Sequence, residues 1–380
     1  MKWRLVLWSG LGAVALFAII GGGWILSLPP TPAYGAAPAI AKEEADATIA
    51  ALKPPKRQRP LIAIIGINDA TETTDYLMPY GILRRADVAD VVALATKPGP
   101  VTLYPVLKVE PDATTAQFDA QHPDGADYVI VPAMSRDDDP EVLAWIKSQS
   151  AKGAIVVGVC VGAMVVGATG LLDGRRATTH WYSLKDLRNR HPQAQYVADR
   201  RIVVDRGVAT TTGITASMPM SLTLIEAIAG RDKAEAVARD LGLTSWDARH
   251  ASGAFAFTRP FALTAIRNTL VPNKEQLGIG LTPGIDEVSL ALVADAWSRT
   301  YRSRAVTFAA TAGAQQTRTG LHILPEQVAA NWPAEQSLPV IGDQPPAKAL
   351  DVALRDIEAR YGVRTADFVA MQLEYPRQAH

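Results

Sequence analysis

Short apolar runs alternating with helix-length segments constrain the fold of this chain most strongly. Residues 61–67, 128–131 and 155–159 are predicted to be buried strands, and amphipathic segments such as 140–150 separate them. This alternation predicts a mainly parallel, open α/β sheet covered by helices on both faces, within a domain spanning residues 60–230.

After Gly230 the pattern becomes more helical, which predicts an α-rich C-terminal extension over residues 231–380. Within it, residues 284–288 open a helix that leads to the apolar stretch 305–310. Asp75, the helix that follows it and residues 91–96 have the same order. A degenerate half-repeat packed on the first domain is therefore one hypothesis for the extension.

The N-terminus begins with Lys2 and Arg4 ahead of an uncharged, mostly apolar run over residues 5–28. A cleavable signal has a shorter apolar core of about 7–15 residues, so the run predicts an uncleaved transmembrane anchor over residues 1–28. The positive charges predict a cytoplasmic N-terminus and an extracytoplasmic body, periplasmic in a Gram-negative cell. Residues 29–59, rich in Ala and Pro and then basic, are predicted to be a linker with little fixed structure.

Composition excludes some partners and some forms of stabilisation. The chain has 38 Lys and Arg against 38 Asp and Glu, so no overall basic field favours nucleic acid as a partner. Its single cysteine excludes an internal disulfide. No Cys/His cluster has metal-ligand spacing, and no metal or other cofactor is expected.

That cysteine, Cys160, lies where the strand 155–159 turns into a helix. Gly158 and Gly162 are small enough for a tight, strained elbow at the carboxyl edge of the sheet, where ligands bind. Helix N-terminal amides there would lower the thiol pKa, and the Val161 N–H would donate to an oxyanion. We therefore predict that Cys160 is a nucleophile; the alternative is a small apolar residue filling space under the helix.

The elbow and the segment GLLDGRRATTHW, residues 170–181, resemble the ThiJ/PfpI (DJ-one-like) superfamily, and residues 212–216 resemble the turn before its last helix. The likeness covers residues 61–230. It is strongest to the sensor domains of AraC-type regulators and to isonitrile hydratases. The resemblance implies the flavodoxin-like fold of the class I glutamine amidotransferases.

The resemblance also implies site residues. Asp75 takes the place of an acidic residue whose carboxyl group contacts the nucleophilic thiol, and His180 that of an imidazole able to act as a general acid or base. The alternatives are a helix-capping aspartate and a structural histidine. Relatives carry Pro-Gly-Gly where this chain has Pro132, Ala133 and Met134, so Ala133 can still offer its N–H while Met134 narrows the pocket. Position 161 holds Val161 where an isonitrile hydratase is expected to have a hydroxyl residue, so isonitrile hydratase activity loses support.

Two functions that use the pocket remain open at this stage, beside a third hypothesis of an inert scaffold that assembles partners. Cys160 with Asp75, and with His180 as a further candidate, would act on a small electrophile by hydration or hydrolysis. Alternatively, the same pocket would bind a small ligand or sense oxidants without catalysis. The AraC-type regulators have two helix-turn-helix units after the sensor domain, and residues 231–380 show no such pair, so no nucleic-acid partner is expected. The resemblance implies a homodimer as a further expectation.

Overall fold

A seven-stranded sheet forms the centre of the computed structural model, which describes residues 20–32, 35–339, 342 and 344–377. The strand order is β11-β12-β8-β7-β1-β3-β6, and every neighbouring pair is parallel except the β11–β12 hairpin. The predicted mainly parallel α/β sheet is therefore confirmed. Its strands are β1 (Leu61–Gly66), β3 (Asp90–Ala95), β6 (Ala113–Thr114), β7 (Tyr128–Val131), β8 (Ile155–Gly158), β11 (Ile202–Asp205) and β12 (Val208–Thr211).

The remaining elements surround this sheet or follow it along the chain. The other strands are β2 (Asp69–Glu72), β4 (Val101–Tyr104), β5 (Lys108–Glu110), β9 (Arg176–Ala177), β10 (Gln195–Tyr196), β13 (Glu275–Gly280), β14 (Ser303–Ala309), β15 (Gln315–Gln316), β16 (His322–Ile323) and β17 (Gln327–Val328). The α-helices are α1 (Lys42–Ala51), α2 (Thr73–Ala86), α3 (Thr115–Gln121), α4 (Pro140–Ala151), α5 (Gly162–Ala168), α6 (Leu184–Arg190), α7 (Ser217–Ala229), α8 (Arg231–Leu241), α9 (Arg259–Thr269), α10 (Glu287–Ser298), α11 (Lys348–Tyr361) and α12 (Val363–Gln372).

The central strands are apolar on both faces because each face meets helices. Along β1, Ile62 and Ile64 join one buried cluster with residues of α2 and α7. Ala63 and Ile65 join a second cluster with residues of α4 and α5. Successive side chains of a strand point to opposite faces, so one uninterrupted apolar run supplies both cores.

The described part of the N-terminal run does not form the predicted membrane anchor. Residues 20–27 are helical, residues 1–19 lie outside the described part, and no helix in the described part has the length and hydrophobicity needed to cross a bilayer. Its end packs on the domain instead, since Trp24 contacts Phe257 and the Arg259 guanidinium donates to the Leu26 carbonyl oxygen. The predictions of a single-pass membrane protein and of an extracytoplasmic body are therefore wrong.

The segment predicted as a linker contains helix α1 and two attachments to the sheet. Arg200 pairs with Glu44 of α1, and the Tyr128 hydroxyl donates to the carbonyl oxygen of buried Leu52 (2.6 Å). Further along, the buried carboxylate of Asp127 accepts from Arg57 Nη1 (2.6 Å) and from the Leu61 N–H (2.8 Å). The chain thus enters β1 from a fixed position.

The C-terminal extension adds a second, smaller sheet to its helices. Strands β13 and β14 are parallel and are joined by α10, and β17 pairs with β14. Helix α10 packs along α2, where the Glu287 side chain lies against Gly81. Glycines within β13, Gly278 and Gly280, interrupt its apolar pattern, which is why the sequence predicted only an α-rich extension here. The boundary at residue 230 stays a prediction.

We predict that Asp127→Ala lowers the free energy of unfolding by about 3 kcal/mol, because the buried Leu61 N–H loses its acceptor and Arg57 loses its partner. Urea denaturation followed by circular dichroism measures the effect. Asp124→Ala, an exposed neighbour, is the control and changes stability by less than about 0.5 kcal/mol. Equal stability of the two variants would contradict this role.

Candidate active site at the Cys160 elbow

Cys160 occupies a strained backbone position between β8 and α5. Its φ is 56°, in the left-handed region that non-glycine residues rarely adopt. Two threonine side chains hold it there: the Cys160 N–H donates to Thr211 Oγ1 (3.0 Å), and Thr179 Oγ1 donates to the Cys160 carbonyl oxygen (3.1 Å). These bonds satisfy both backbone groups of Cys160 and help to offset the strain.

Residues 161 and 162 shape the elbow on its helical side. A Cβ atom at Gly162 would lie 2.0 Å from the Val131 carbonyl oxygen, so this position accepts only glycine without a backbone shift. The Val161 backbone amide acts on the Cys160 sulfur in the direction that lowers the thiol pKa. The amide predicted to face the reacting centre therefore lies at the thiol.

The electrostatics of the thiol differ from the prediction. Burial raises the pKa of the Cys160 thiol well above its ordinary value, and the charges of Asp75, Glu72 and Glu374 raise it further. Only the Val161 amide acts in the opposite direction. The helix-terminal amides therefore do not outweigh desolvation, because the thiol is only 3% exposed and faces carboxyl groups.

Asp75 lies in the first turn of α2 and is fully buried. Its Oδ2 accepts from the Ala133 N–H (3.1 Å), while its Oδ1 has no hydrogen-bond partner within the described part of the chain. Burial, followed by the charge of Glu72, raises the pKa of Asp75 well above its ordinary value. The carboxyl group therefore holds its proton more tightly than a solvated aspartate does. The Ala133 amide is occupied by Asp75 and is not free for an oxyanion.

Glu72 and Arg299 support Asp75, and sequence reasoning missed both. Glu72 caps α2: its Oε2 accepts from the Asp75 N–H (2.6 Å) and its Oε1 accepts from Arg299 Nη2 (2.9 Å). Arg299 also binds both carboxylate oxygens of Asp295 through Nε (2.8 Å each). An acidic residue three positions before Asp75 was the available signal for a helix cap. Nothing in the sequence placed Arg299 opposite it.

His180 is hydrogen-bonded through both ring nitrogens. Its Nδ1 accepts from the Tyr182 N–H (3.2 Å), which leaves the proton on Nε2, where it donates to the Gln372 carbonyl oxygen (2.9 Å). Burial lowers the pKa of His180, so the ring is neutral. His180 therefore links the elbow to the end of α12, and its proposed part in proton transfer stays a prediction.

A second link from the C-terminal extension is the buried side chain of Glu374. Its Oε1 accepts from the Trp181 N–H and its Oε2 from the Gly213 N–H, both at 2.6 Å. Glu374 therefore connects the turns at Trp181 and Gly213 to the segment that follows α12.

A cavity of about 540 Å³ opens above Cys160. The predicted residues Cys160, Val161, Ala133, Met134 and His180 all line it, whereas Asp75 and Gly162 do not. Half of the remaining lining residues are aromatic: Tyr104, Trp181, Tyr182, Phe257, Phe261, Tyr301 and Phe368. Across the described residues, no group of three His, Cys, Asp or Glu side chains could hold a metal ion.

The wall near Met134 is held by backbone pairing with the segment before α2. The Glu72 N–H donates to the Ala133 carbonyl oxygen (2.8 Å), and the Ser135 N–H donates to the Ala70 carbonyl oxygen (2.9 Å). This pairing fixes the Ala133 amide toward Asp75 and leaves the largely buried Met134 side chain at the cavity, where it was predicted to narrow the pocket.

Comparison with known proteins agrees with this geometry. Residues 62–227 match the model of the DJ-1/PfpI family. An isonitrile hydratase from Pseudomonas putida is 34% identical over 169 residues, which cover 43% of this chain and 70% of that protein. The chain belongs to the DJ-1/PfpI family. The resemblance inferred from the elbow and from residues 170–181 is thereby confirmed.

A regulator and a solved structure also match this DJ-1/PfpI protein. The transcriptional regulator CdhR from Pseudomonas aeruginosa is 34% identical over 86 residues, or 23% of this chain and 25% of the regulator. The solved structure of Drosophila melanogaster DJ-1beta shares 22% identity with a TM-score of 0.45, and the match covers 49% of this chain and 100% of that one. The C-terminal extension lies beyond the family match.

We predict that Gly162→Ala destabilises the protein by about 3 kcal/mol, because the new methyl group would overlap the Val131 carbonyl oxygen. Thermal unfolding measures the loss. Gly253→Ala is the matched control, since a Cβ atom there meets nothing within 4 Å, and its melting temperature should equal that of the wild type. A Gly162→Ala protein as stable as the control would contradict the described elbow.

Proposed function

We propose that this DJ-1/PfpI protein is a cysteine-dependent enzyme that hydrates or hydrolyses a small electrophile. One observation carries the proposal: a buried carboxyl group, Asp75, keeps one oxygen without a partner in the described residues and acts on the pKa of an elbow thiol that faces a cavity. Such a buried polar atom costs free energy unless a reacting group uses it.

The raised pKa values of Cys160 and Asp75 favour a reaction that starts from two neutral groups. The sulfur forms a bond to the electrophilic carbon, Asp75 gives its proton to the substrate atom that gains electron density, and the thiol proton passes to Asp75. Water then adds to the same carbon: its hydroxyl group bonds to the carbon and its other proton goes to the substrate. As the carbon–sulfur bond breaks, Asp75 returns a proton to the sulfur and takes the proton of the new hydroxyl group, which leaves a carbonyl product and both protein groups neutral. In a hydrolysis, the leaving group departs with a proton from the first adduct before water adds. Charge balances at each step, so no standing thiolate is required.

The cavity and the relatives support hydration of a mainly apolar substrate. Its lining is mostly apolar and aromatic, which favours a compact organic molecule with few polar groups. The relative that is 34% identical and is covered over 70% of its length is an isonitrile hydratase. Position 161 holds valine. Because Asp75 occupies the Ala133 amide, the Val161 amide is the backbone hydrogen-bond donor that remains near the thiol and the reacting carbon.

A non-catalytic ligand-binding module is the second candidate. It is favoured by the Ala133 amide, which Asp75 occupies and which therefore offers no hydrogen bond to an oxyanion. The similarity to the regulator CdhR also supports it. Oxidant sensing receives less support, because a raised thiol pKa reduces the thiolate that peroxide attacks.

We predict that Cys160→Ser and Asp75→Asn each lower kcat/KM by about 10²- to 10⁴-fold on a panel of isonitriles, amides and α-oxoaldehydes. Since Asp75 must be protonated, wild-type kcat/KM should fall as the pH rises through its raised pKa. Asp69→Asn, an exposed aspartate outside the cavity lining, is the control and should keep wild-type rates. Product formation followed by chromatography measures each rate.

Full turnover by Cys160→Ser would exclude nucleophilic catalysis. Absence of turnover by the wild-type protein across the panel, together with saturable binding of panel members measured by calorimetry, would favour the ligand-binding candidate.

A further inference from the structure

Two strand–helix–strand units of this chain correspond in detail. Strands β1 and β13 are both six residues long, and each is parallel to the strand that follows the next helix, β3 or β14. An acidic side chain caps each helix: Glu72 accepts from the Asp75 N–H, and Asp286 accepts from the Ser289 N–H. The two caps therefore hold the third residue of each helix in the same way.

The two helices also exchange equivalent ion pairs. Arg85, in the last turn of α2, binds Asp286 at the start of α10. Arg299, the C-cap of α10, binds Glu72 at the start of α2. Glu72 and Asp286 have the same separation along the chain as Arg85 and Arg299. Such reciprocity, in which each partner makes the same contact to the other, is the signature of two-fold related units.

The starts of α2 and α10 are equivalent, but only the start of α2 faces the cavity that contains a thiol. Asp75, beside Cys160, follows the Glu72 cap, whereas Ser289 holds the corresponding position after the Asp286 cap. The cavity above Cys160 includes Glu72 and Arg299, while a separate surface cavity includes Arg85. The same ion pair therefore occurs once at the candidate active site and once away from it.

We propose that residues 275–309 repeat the unit 61–95 and that Arg299, supplied by the repeat, is a positioning residue that acts on Asp75 and Cys160 through Glu72. This inference deepens the proposed function, since it names the group that sets the proton affinity of the site. It rests on a continuous chain of contacts: Arg299 Nη2 to Glu72 Oε1 (2.9 Å), and Glu72 Oε2 to the Asp75 N–H (2.6 Å).

The charges around the site give the direction of the effect. Asp75 faces Glu72, Asp295 and Arg299, and of these only Arg299 is a cation. The thiol of Cys160 faces Asp75, Glu72 and Glu374. Removing Arg299 leaves the negative charges of Glu72 and Asp295 uncompensated, so the acidic groups of the site hold their protons more tightly.

Arg299→Met should raise the midpoint pH for iodoacetamide alkylation of Cys160 in the full chain by about one pH unit. Arg299→Lys keeps the charge and should restore most of the wild-type midpoint. Arg85→Met is the matched control, because it removes the equivalent buried ion pair at the other end of the helices. It should lower the melting temperature without moving the midpoint.

Glu72→Gln is a second variant and should shift the midpoint pH of alkylation in the opposite direction. Losing the negative charge of Glu72 should lower this midpoint. It also keeps the inference testable if Arg299→Met fails to fold. An unchanged midpoint in Arg299→Met and in Glu72→Gln, or an equal shift in Arg85→Met, would overturn the inference. Alkylation requires no turnover, so failure here is distinguishable from failure of the proposed enzyme activity.

Discussion

The burial of one carboxyl group, that of Asp75, is the constraint on which the rest of the site depends. Desolvation raises its pKa well above the ordinary value, and one of its oxygens has no partner in the described residues. The Ala133 amide turns toward it, and Glu72 holds the backbone from which it projects. A solvated Asp75 would ionise, and its charge would oppose any ionisation of Cys160.

This burial depends on parts of the chain outside the family match. The match ends at residue 227, whereas Phe261, Arg299 and Phe368, which line the cavity, come later. His180 and Glu374 then tie the elbow region to the C-terminal end. The lining of the cavity therefore includes residues that a relative matching only the first domain does not supply.

Much of the fold and part of the site could be predicted from the sequence. Apolar strands alternating with helices predicted the parallel sheet, and small residues around Cys160 predicted the elbow, because both depend on local sequence. The opposing Arg299 is far from Glu72 in the chain, and no local pattern brings them together. The thiol pKa was predicted with the wrong sign because local sequence shows the helix start but not the burial. The apolar N-terminal run predicted a membrane helix because hydropathy alone does not show that Trp24 packs on Phe257.

The protonation of Asp75 near pH 7 is the central claim, and infrared difference spectroscopy tests it most directly. Other buried acids, such as Glu287 and Asp295, also have raised pKa values, so the difference between wild type and Asp75→Asn isolates the group of interest. A neutral Asp75 predicts that the wild type has a carbonyl stretching band of a protonated carboxylic acid at pH 7 that the variant lacks. A difference spectrum that shows only the loss of carboxylate bands would contradict the account.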